Sequence, residues 1–456
     1  MNSKSTHEID MLNGSILPKI LLFALPLALS GVLQLLFNAA DVIVLGRYVG
    51  SDALAAVSST GSLTGLLTNL FIGISVGVNV VVATNYASGK YNEVSKVVHT
   101  SIAVALVSGF FLIALGWLFA EPMLKLMGSP ENVLPLSVRY LKIYFAGMPF
   151  IMLYNFGSAV LRSIGDTKRP LYYLFIAGVV NVCLNLFFVI KLNMGVAGVA
   201  IATVASHCVS SLLILRALIK EDSCLKLNPR KLNLDIKTIK KFAQVGIPAG
   251  LQSVLFAVSN VLIQSSVNSF GSIVMAGNGA SASLEGFQYT AMHSVYTAAI
   301  TFIGQNVGAK KYSRLNKIAF SSLACVTIVG FVFQGIFAVF GRNLLWLYTT
   351  DPEVVTAALV RLTIFMLSYW TCGLMDVSSG LMRGMGYGTL PTVVSLIGAV
   401  GLRIVWLYTV FAAVHDYRIL LIGYPISWTL TFAAHLICYF KAKAKLPKED
   451  GVAMYY

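Results

Sequence analysis

The segment LLFALPLALSGVLQLLFNAADVIVLGR, residues Leu21–Arg47, decides the fold class of this chain. It is longer than the roughly 20 apolar residues that cross a bilayer as a helix, and Pro26 gives that helix a hinge. Four polar residues recur at i, i+4, i+8 and i+11 and share one helix face: Ser30, Gln34, Asn38 and Asp41. An ionisable group inside a membrane costs roughly 2.5 kcal/mol or more, so it usually faces a protein interior or a wet cavity. Asp41 is therefore the first candidate for a functional residue.

An interfacial position is the alternative for Asp41. If the helix enters the membrane near Leu17, about 24 residues at 1.5 Å each place Asp41 some 36 Å along, near the far interface. A wetted carboxylate there would pair with Arg47. Gln34 and Asn38, which lie in line with it, favour a polar cavity wall instead.

The composition excludes a soluble domain. The 456 residues are 57% hydrophobic and only 11% charged, with a mean hydropathy of +0.79. The polar N-terminal segment has no small-residue cleavage site, so we expect the first helix to remain in the mature protein. Windows of about 20 residues predict twelve spans: 17 to 46, 53 to 83, 95 to 120, 134 to 160, 170 to 192, 195 to 218, 242 to 270, 276 to 304, 316 to 346, 354 to 381, 391 to 414 and 418 to 440.

The formal charge of +15 follows the predicted topology. Of the 33 basic residues, 24 fall on one side when the twelve spans are threaded through a membrane. The positive-inside rule places both termini in the cytoplasm of a bacterial inner membrane protein. We read this charge as a topology signal with a modest attraction to membrane lipid, and we expect no nucleic-acid partner.

The second half of the chain repeats the first at an offset of 221 or 222 residues. The matched anchors include Pro26 with Pro248, Lys90-Tyr91 with Lys311-Tyr312, Pro130-Glu131 with Pro352-Glu353, Arg139 with Arg361, and LRSIGDTKRP from Leu161 with MRGMGYGTLP from Met382. Six spans per repeat give both halves the same orientation, so a pseudo-twofold along the membrane normal relates two six-helix bundles. The predicted domains are an N-terminal lobe (1–218), a cytoplasmic linker (219–241) and a C-terminal lobe with its tail (242–456). A V-shaped pair of bundles with a cleft suits alternating access within a monomer.

The sequence lacks nucleotide-binding and catalytic motifs, which favours ion-coupled transport over catalysis. The chain has no P-loop and no His-Glu-x-x-His, and its cysteines and histidines lack metal-ligand spacing. We therefore expect no enzyme activity and no cofactor, with H⁺ or Na⁺ as the coupling ion. Asp376 and Glu285 are the acid candidates of the second lobe. Their alternative role is a structural salt bridge to Arg403, or a position near the outer surface.

Polar and aromatic residues on other spans complete the candidate site. Asn181 and Asn185 share a face of the fifth span, as do Thr203 and His207 on the sixth, and they offer oxygen ligands or helix–helix hydrogen bonds. An aromatic wall would suit flat, hydrophobic cations. The predicted cavity-lining residues are Gln34, Asn38, Tyr144, Gln252, Tyr289 and His293, the last of which is also explained as a structural histidine.

The chain resembles the MATE family of multidrug and toxin extrusion antiporters over nearly its full length. The resemblance rests on the repeat, NAADVIVLGRYVG, NYASGKY with GQNVGAKKY, and LRSIGDTKRP with MRGMGYGTLP. It implies export of hydrophobic, usually cationic small molecules in exchange for Na⁺ or H⁺. In the DinF-like branch, which the chain resembles most, a first-helix acid binds the coupling cation beside an Asn and an Asp on the fifth helix and a Thr on the sixth. These positions look like Asp41, Asn181, Asn185 and Thr203, with a possible Na⁺ at Asp41, Asn181 and Thr203.

Asn185 departs from the family pattern, because an Asp would stand there. One acid fewer lowers the charge of the site and favours a proton on Asp41. Asp376 matches the tenth-helix Asp of the NorM-like branch, but the seventh helix offers Gln252 and no Glu. A lipid-linked oligosaccharide flippase of the same superfamily is the alternative function, and it predicts a strongly cationic cleft.

Overall fold

The protein, described here by a computed structural model, is built from helices over residues 8–452. Residues 1–7, where the polar N-terminal segment begins, and 453–456 lie outside the described range. The first half forms α1 (Leu17–Tyr48), α2 (Ser51–Ala87), α3 (Tyr91–Leu126), α4 (Leu134–Ala146), α5 (Met148–Ser163), α6 (Lys168–Leu186) and α7 (Gly195–Lys220). The second half forms α8 (Ile236–Asn268), α9 (Ser272–Gly308), α10 (Leu315–Trp346), α11 (Pro352–Gly384), α12 (Thr389–Ser395), α13 (Leu402–Trp406) and α14 (Tyr417–Ala444). Three π-helical stretches extend or join these helices: Phe187–Lys191, Leu396–Gly401 and Leu407–Phe411.

Each of the twelve predicted spans coincides with one of these helices or with a run of them. Within the described residues, ten helical segments are long and apolar enough to cross a membrane. The pair α4 and α5, bent by 47°, makes an eleventh. The remaining predicted span, 276 to 304, corresponds to α9. This helix has 37 residues but carries Asn278, Glu285 and Gln288 along its length. The predicted all-α, multi-span fold class is confirmed.

The helices group by contact into two units that do not follow the chain order. Unit one contains Leu29–Gly250 together with Glu8 and Ile9, and unit two contains Asp10–Ala28 together with residues 251–452. The predicted lobe boundaries at 218 and 242 divide the chain in sequence. The contacts instead assign the first part of α1 to unit two and the first part of α8 to unit one.

Backbone contact between α8 and α2 explains why the first part of α8 belongs to unit one. A Cβ atom on Gly77 would lie 1.9 Å from the carbonyl oxygen of Phe242, and one on Gly250 would lie 2.4 Å from that of Leu70. Only glycine lets two helices approach so closely. In unit two, Phe23 of α1 packs edge-on against Phe302 of α9, with 6.0 Å between the ring centroids.

Each unit also has an apolar core of its own. In unit one the fully buried rings of Phe145, Phe156 and Phe242 lie in a single large cluster. In unit two Leu345 and Ala358 belong to a smaller cluster formed by α9, α10 and α11. These packed surfaces fix the helices that carry the buried polar residues described below.

Candidate functional site

Asp41 lies near the end of α1 and is buried in unit one, with 8% of its surface exposed. One carboxylate oxygen accepts a hydrogen bond from the side-chain amide of Asn185. The other accepts from the Thr203 hydroxyl, with Oγ1 and Oδ2 3.3 Å apart. Among the ion pairs of the described residues none includes Asp41, so the alternative pairing with Arg47 is not found there.

The amides of α6 continue this network. Asn185 donates its second amide hydrogen to Oδ1 of Asn181 over 3.3 Å, as expected for residues one helical turn apart. Asn181 donates in turn to Oγ1 of Thr203 at 3.5 Å. Thr203, on α7, also lies 2.9 Å from the carbonyl oxygen of Val199. The structure thus brings together all four residues predicted from the sequence: Asp41, Asn181, Asn185 and Thr203.

The chemistry of this cluster is that of a carboxylate surrounded by neutral dipoles. Asn185 Oδ1 is buried and accepts no hydrogen bond from the described residues. The cluster therefore contains one carboxyl group and three further side-chain oxygens, one of which, Asn185 Oδ1, has no donor among the described residues. Such a set of hard oxygen atoms can hold a proton or a small cation.

Helix α6 changes its winding immediately beyond this cluster. It ends at Leu186 and continues as a π-helical turn over Phe187–Lys191, two residues after Asn185. Single π turns inside helices are rare and often mark functional sites. The apolar pattern of the fifth span does not distinguish 3.6 from wider winding over five residues, so the sequence did not predict this feature.

The other first-lobe candidates lie apart from the buried network. Gln34 and Asn38 are exposed on α1, whereas Asp41 on the same helix is buried. Tyr144 is half-buried and stacks on Tyr140 with 5.9 Å between centroids. Pro26 is buried inside α1, which is assigned as one continuous helix from Leu17 to Tyr48.

Glu285 of α9 forms an ion pair with α11. Both of its carboxylate oxygens accept from the guanidinium of Arg361, at 2.8 and 2.7 Å, and Arg361 also donates to Oδ1 of Asn278 at 2.8 Å. Both residues of the pair are buried. The salt bridge offered as the alternative for Glu285 is present, but its partner is Arg361 and not Arg403. Arg403 instead donates to the Ser427 hydroxyl at 2.9 Å.

Asp376 belongs to a second cluster, on α9 and α11, that includes a buried arginine. The Tyr289 hydroxyl bonds to Asp376, and the charges of Arg383 and Arg403 act on it. Arg383 is only 3% exposed and donates to the Tyr296 hydroxyl and, at 2.7 Å, to Gln252 Oε1. Gln252, predicted to line a cavity, is buried in this network.

His293 lies between two tyrosine rings of the same helix. Its centroid is 5.6 Å from that of Tyr289 and 4.8 Å from that of Tyr296, and all three rings are stacked. Tyr289 and His293 are exposed, whereas Tyr296 is buried. Sequence reasoning missed Arg383 as a site residue, although the repeated motif pairs it with Arg162 at an offset of 221.

Possible metal ligands and thiols are scattered over the part of the chain that the structure describes. No group of three His, Cys, Asp or Glu side chains there is arranged to hold a metal ion. The six cysteines are free. Burial raises the pKa of the Cys224 thiol, in the linker, to about 11, so this thiol stays protonated at neutral pH.

Span-length helices in two repeated units, with buried acids held among amides and arginines, are typical of polytopic membrane transporters. The chain belongs to the MatE family, whose model matches residues 26–187 and again residues 248–409. The two matches are offset by 222 residues, which confirms the internal repeat predicted from the sequence.

Relatives and solved structures agree with this family. The chain is 29% identical to "Probable multidrug resistance protein YoeA" of Bacillus subtilis over 91% of each chain. It is 30% identical to "Probable multidrug resistance protein YpnP" of the same organism, over 85% of this chain and 87% of that one. It is 26% identical to a "FAD transporter" of Shewanella oneidensis, over 91% and 92%.

One solved structure shares the fold throughout. It is described as the outward-facing conformation of a multidrug resistance MATE family transporter of the MOP superfamily. The TM-score is 0.90 at 19% identity, with 98% of this chain and 100% of that chain covered. At this identity the likeness establishes the fold.

Proposed function

We propose that the protein is a secondary active multidrug efflux transporter that exports hydrophobic, cationic compounds in exchange for H⁺ or Na⁺. Family membership and the names of the two Bacillus subtilis relatives support export of drugs. The distribution of basic residues supports a bacterial cytoplasmic membrane with both termini in the cytoplasm. The observation that carries the coupling mechanism is the buried Asp41 carboxylate, which is hydrogen-bonded to neutral groups alone.

Asp41 is the proposed coupling group because its carboxylate forms no ion pair with a cation of residues 8–452. Amide and hydroxyl dipoles stabilise a buried carboxylate only in part, so a bound proton or Na⁺ lowers the free energy of the site. If a proton binds, rotation of the Asn185 amide brings its unpartnered Oδ1 to accept from the new O–H. If Na⁺ binds instead, Asp41, Asn181 and Thr203 supply the oxygen ligands.

Alternating access links this binding to export. A cationic drug and the coupling ion would use the charge of Asp41 in turn, so that release of one accompanies binding of the other. Pro26 lies in α1, the helix that carries Asp41, and leaves one of its backbone hydrogen bonds unmade. That weakened position is the proposed hinge by which α1 responds to the ion.

Transport of flat anions is the second candidate function. It is favoured by the buried Arg383, which has no carboxylate within salt-bridge distance among the described residues. Arg383 donates to the Tyr296 hydroxyl, and the ring of Tyr296 continues the stack of His293 and Tyr289, whose flat surfaces suit a planar ring. One of the relatives is named as a transporter of FAD, an anion that carries planar rings.

Transport in proteoliposomes tests the coupling role. We expect a proton or sodium gradient, imposed separately, to drive uptake of ethidium, and we expect Asp41→Asn to lose at least about tenfold of that rate, since it removes the only charge of the cluster. The matched control is Asp52→Asn, an exposed acid at the start of α2. Retention of gradient-driven transport by a folded Asp41→Asn protein would disprove the role.

The same preparation separates the two candidate substrates. Ethidium and FAD are offered in parallel, each under the gradient that supports transport. Export of ethidium alone supports the cationic class, and export of FAD alone supports the anionic one. Movement of neither, with movement of a fluorescent lipid between leaflets, would favour the flippase alternative.

A further inference from the structure

The repeat places three charged residues at equivalent positions of the two units, but their charges differ. In unit one they are Glu93, Lys96 and Lys241, and in unit two, at offsets of 221 or 222, they are Arg314, Lys317 and Lys19. Each set lies where two long helices begin. An acid in the first set is thus replaced by an arginine in the second.

The set in unit one neutralises itself in part. Glu93 accepts from Lys96 at 2.8 Å and lies 3.5 Å from the Lys241 ammonium. The matching set in unit two contains cations only. Lys19 donates to the main-chain oxygens of Asp10 and Asn13 at 2.7 and 2.6 Å.

Arg314 is the cation of unit two with unused donors. Its Nη2 donates to the carbonyl oxygen of Gly14 at 3.2 Å, while its Nε is buried and has no acceptor among the described residues. Because Nε is buried, the donors of Arg314 that can reach a phosphate or carboxylate are the terminal nitrogens of its half-buried guanidinium, which lines an open cavity. Lys317, three residues further on, is exposed.

An open cavity of about 600 Å³ adjoins these cations, between the residues before and within the first turn of α1 and the first two turns of α10. Arg314, Lys317, Asn316 and Ser321 give it a polar side, and no Asp or Glu is among its lining residues. Leu17 and Phe320 form its apolar side, and Phe320 is 76% exposed. Because α1 and α10 are long and apolar enough to cross a membrane, we infer that their first turns lie at the depth of lipid headgroups.

We propose that this cavity is a binding site for the phosphate headgroup of an anionic phospholipid. Arg314 binds the phosphate oxygens through the terminal nitrogens of its guanidinium, and Lys317 adds a point charge. The acyl chains then lie along Leu17 and Phe320. A free phosphate ion would use the same cations, but it would leave the exposed apolar wall at headgroup depth uncovered, so the lipid fits the cavity better.

The site would fasten the start of α1 to α10 within unit two. A bound headgroup adds a bridge between the segment around Gly14 and the α10 helix, next to the direct bond from Arg314. The inference concerns lipid binding and does not depend on the coupling role of Asp41. Its leaflet follows the proposed cytoplasmic position of the N-terminus.

Native mass spectrometry of the full chain, released from nanodiscs that contain phosphatidylglycerol or phosphatidylcholine, tests the site. We expect retained phosphatidylglycerol, and a loss of about thirtyfold in its affinity for Arg314→Gln/Lys317→Gln, because two cations each worth about 1 kcal/mol are removed and about 1.4 kcal/mol corresponds to tenfold. The control is Lys445→Gln/Lys448→Gln, which removes the same charge from exposed tail residues. Equal binding by the site and control variants, or equal retention of phosphatidylcholine, would overturn the proposal.

Two further arms cover misfolding and the source of the phosphate. Lys317→Gln alone removes an exposed side chain, so it should fold normally and still weaken lipid binding, while Lys317→Arg should restore it. Inorganic phosphate is added to the detergent-solubilised protein in competition with phosphatidylglycerol. If millimolar phosphate displaces the lipid completely from the folded protein, the lipid assignment is wrong and the cavity is a soluble-anion site.

Discussion

At the scale of single residues, the choice of coupling ion depends on whether the side chain next to Asp41, at position 185, is an amide or an acid. The carboxylate receives two hydrogen bonds from neutral donors, and one of these donors is Asn185, where an acid is expected from the resemblance. A second carboxylate at this distance would repel the first unless a cation lay between them. The identity of residue 185 therefore bears directly on whether a proton or Na⁺ couples transport.

Asn185→Asp is expected to shift coupling towards Na⁺. With two acids the site carries two negative charges, which a sodium ion neutralises while retaining oxygen ligands on both sides. The measurement is the ratio of sodium-driven to proton-driven ethidium transport, which should rise about tenfold or more. Asn132→Asp, which adds an acid at an exposed position between α3 and α4, should leave the ratio unchanged. An unaltered ratio in both variants would remove residue 185 from the coupling site.

The Glu285–Arg361 pair is expected to stabilise the fold rather than couple transport. Removing one partner from a buried pair leaves an uncompensated charge, so Glu285→Gln or Arg361→Gln should lower the free energy of unfolding by about 3–5 kcal/mol. The double variant should lose less than the sum of the two, which a double-mutant cycle of thermal stability measures. Loss of gradient-driven transport by stably folded Glu285→Gln protein would instead place Glu285 in the coupling pathway.

At the scale of helices, the close contact between α2 and α8 allows a direct test of the helix packing. The space between Gly77 and the Phe242 backbone has no room for a methyl group. We expect Gly77→Ala to lower the free energy of unfolding by about 1–3 kcal/mol, because two backbones must separate. Gly61, in the same helix, has nothing within 4 Å of an added Cβ, so Gly61→Ala should be neutral or slightly stabilising. Thermal unfolding in detergent measures both, and equal effects would contradict the close approach.

Much of this architecture follows from the sequence because its signals are local. Apolar length predicted a helix at each of the twelve positions, and the spacing of Asn181 and Asn185 predicted their shared face. Contacts between distant segments were not predictable in the same way. The i, i+4 pattern could not name Arg361 as the partner of Glu285, since the choice between Arg361 and Arg403 depends on how α9 packs against α11. Likewise, the position of Arg383 among polar residues of α8 and α9 depends on how these helices pack, and the sequence does not show this.

At the scale of the whole molecule, the two repeats differ at positions that carry charged residues. The family match recurs at an offset of 222 residues. The position equivalent to Asp41 at that offset is nevertheless occupied by Ile263, and the position equivalent to Glu93, at an offset of 221, is occupied by Arg314. Duplicated helices therefore carry different chemistry in the two units. The two proposals made above, ion coupling in the first unit and lipid binding in the second, rest on these differences.

The sharing of α1 and α8 between units also bears on how the chain is made. Unit one is incomplete until residue 250 has left the ribosome, because α2 needs the first part of α8 beside it. The first part of α1 waits longer, since Phe23 meets Phe302 only after most of the protein has been synthesised. The first helix to reach the translocon is thus among the last to be fully packed. During that interval its apolar surface must be held by lipid or by the insertion machinery, which makes biogenesis sensitive to the order in which the two halves emerge.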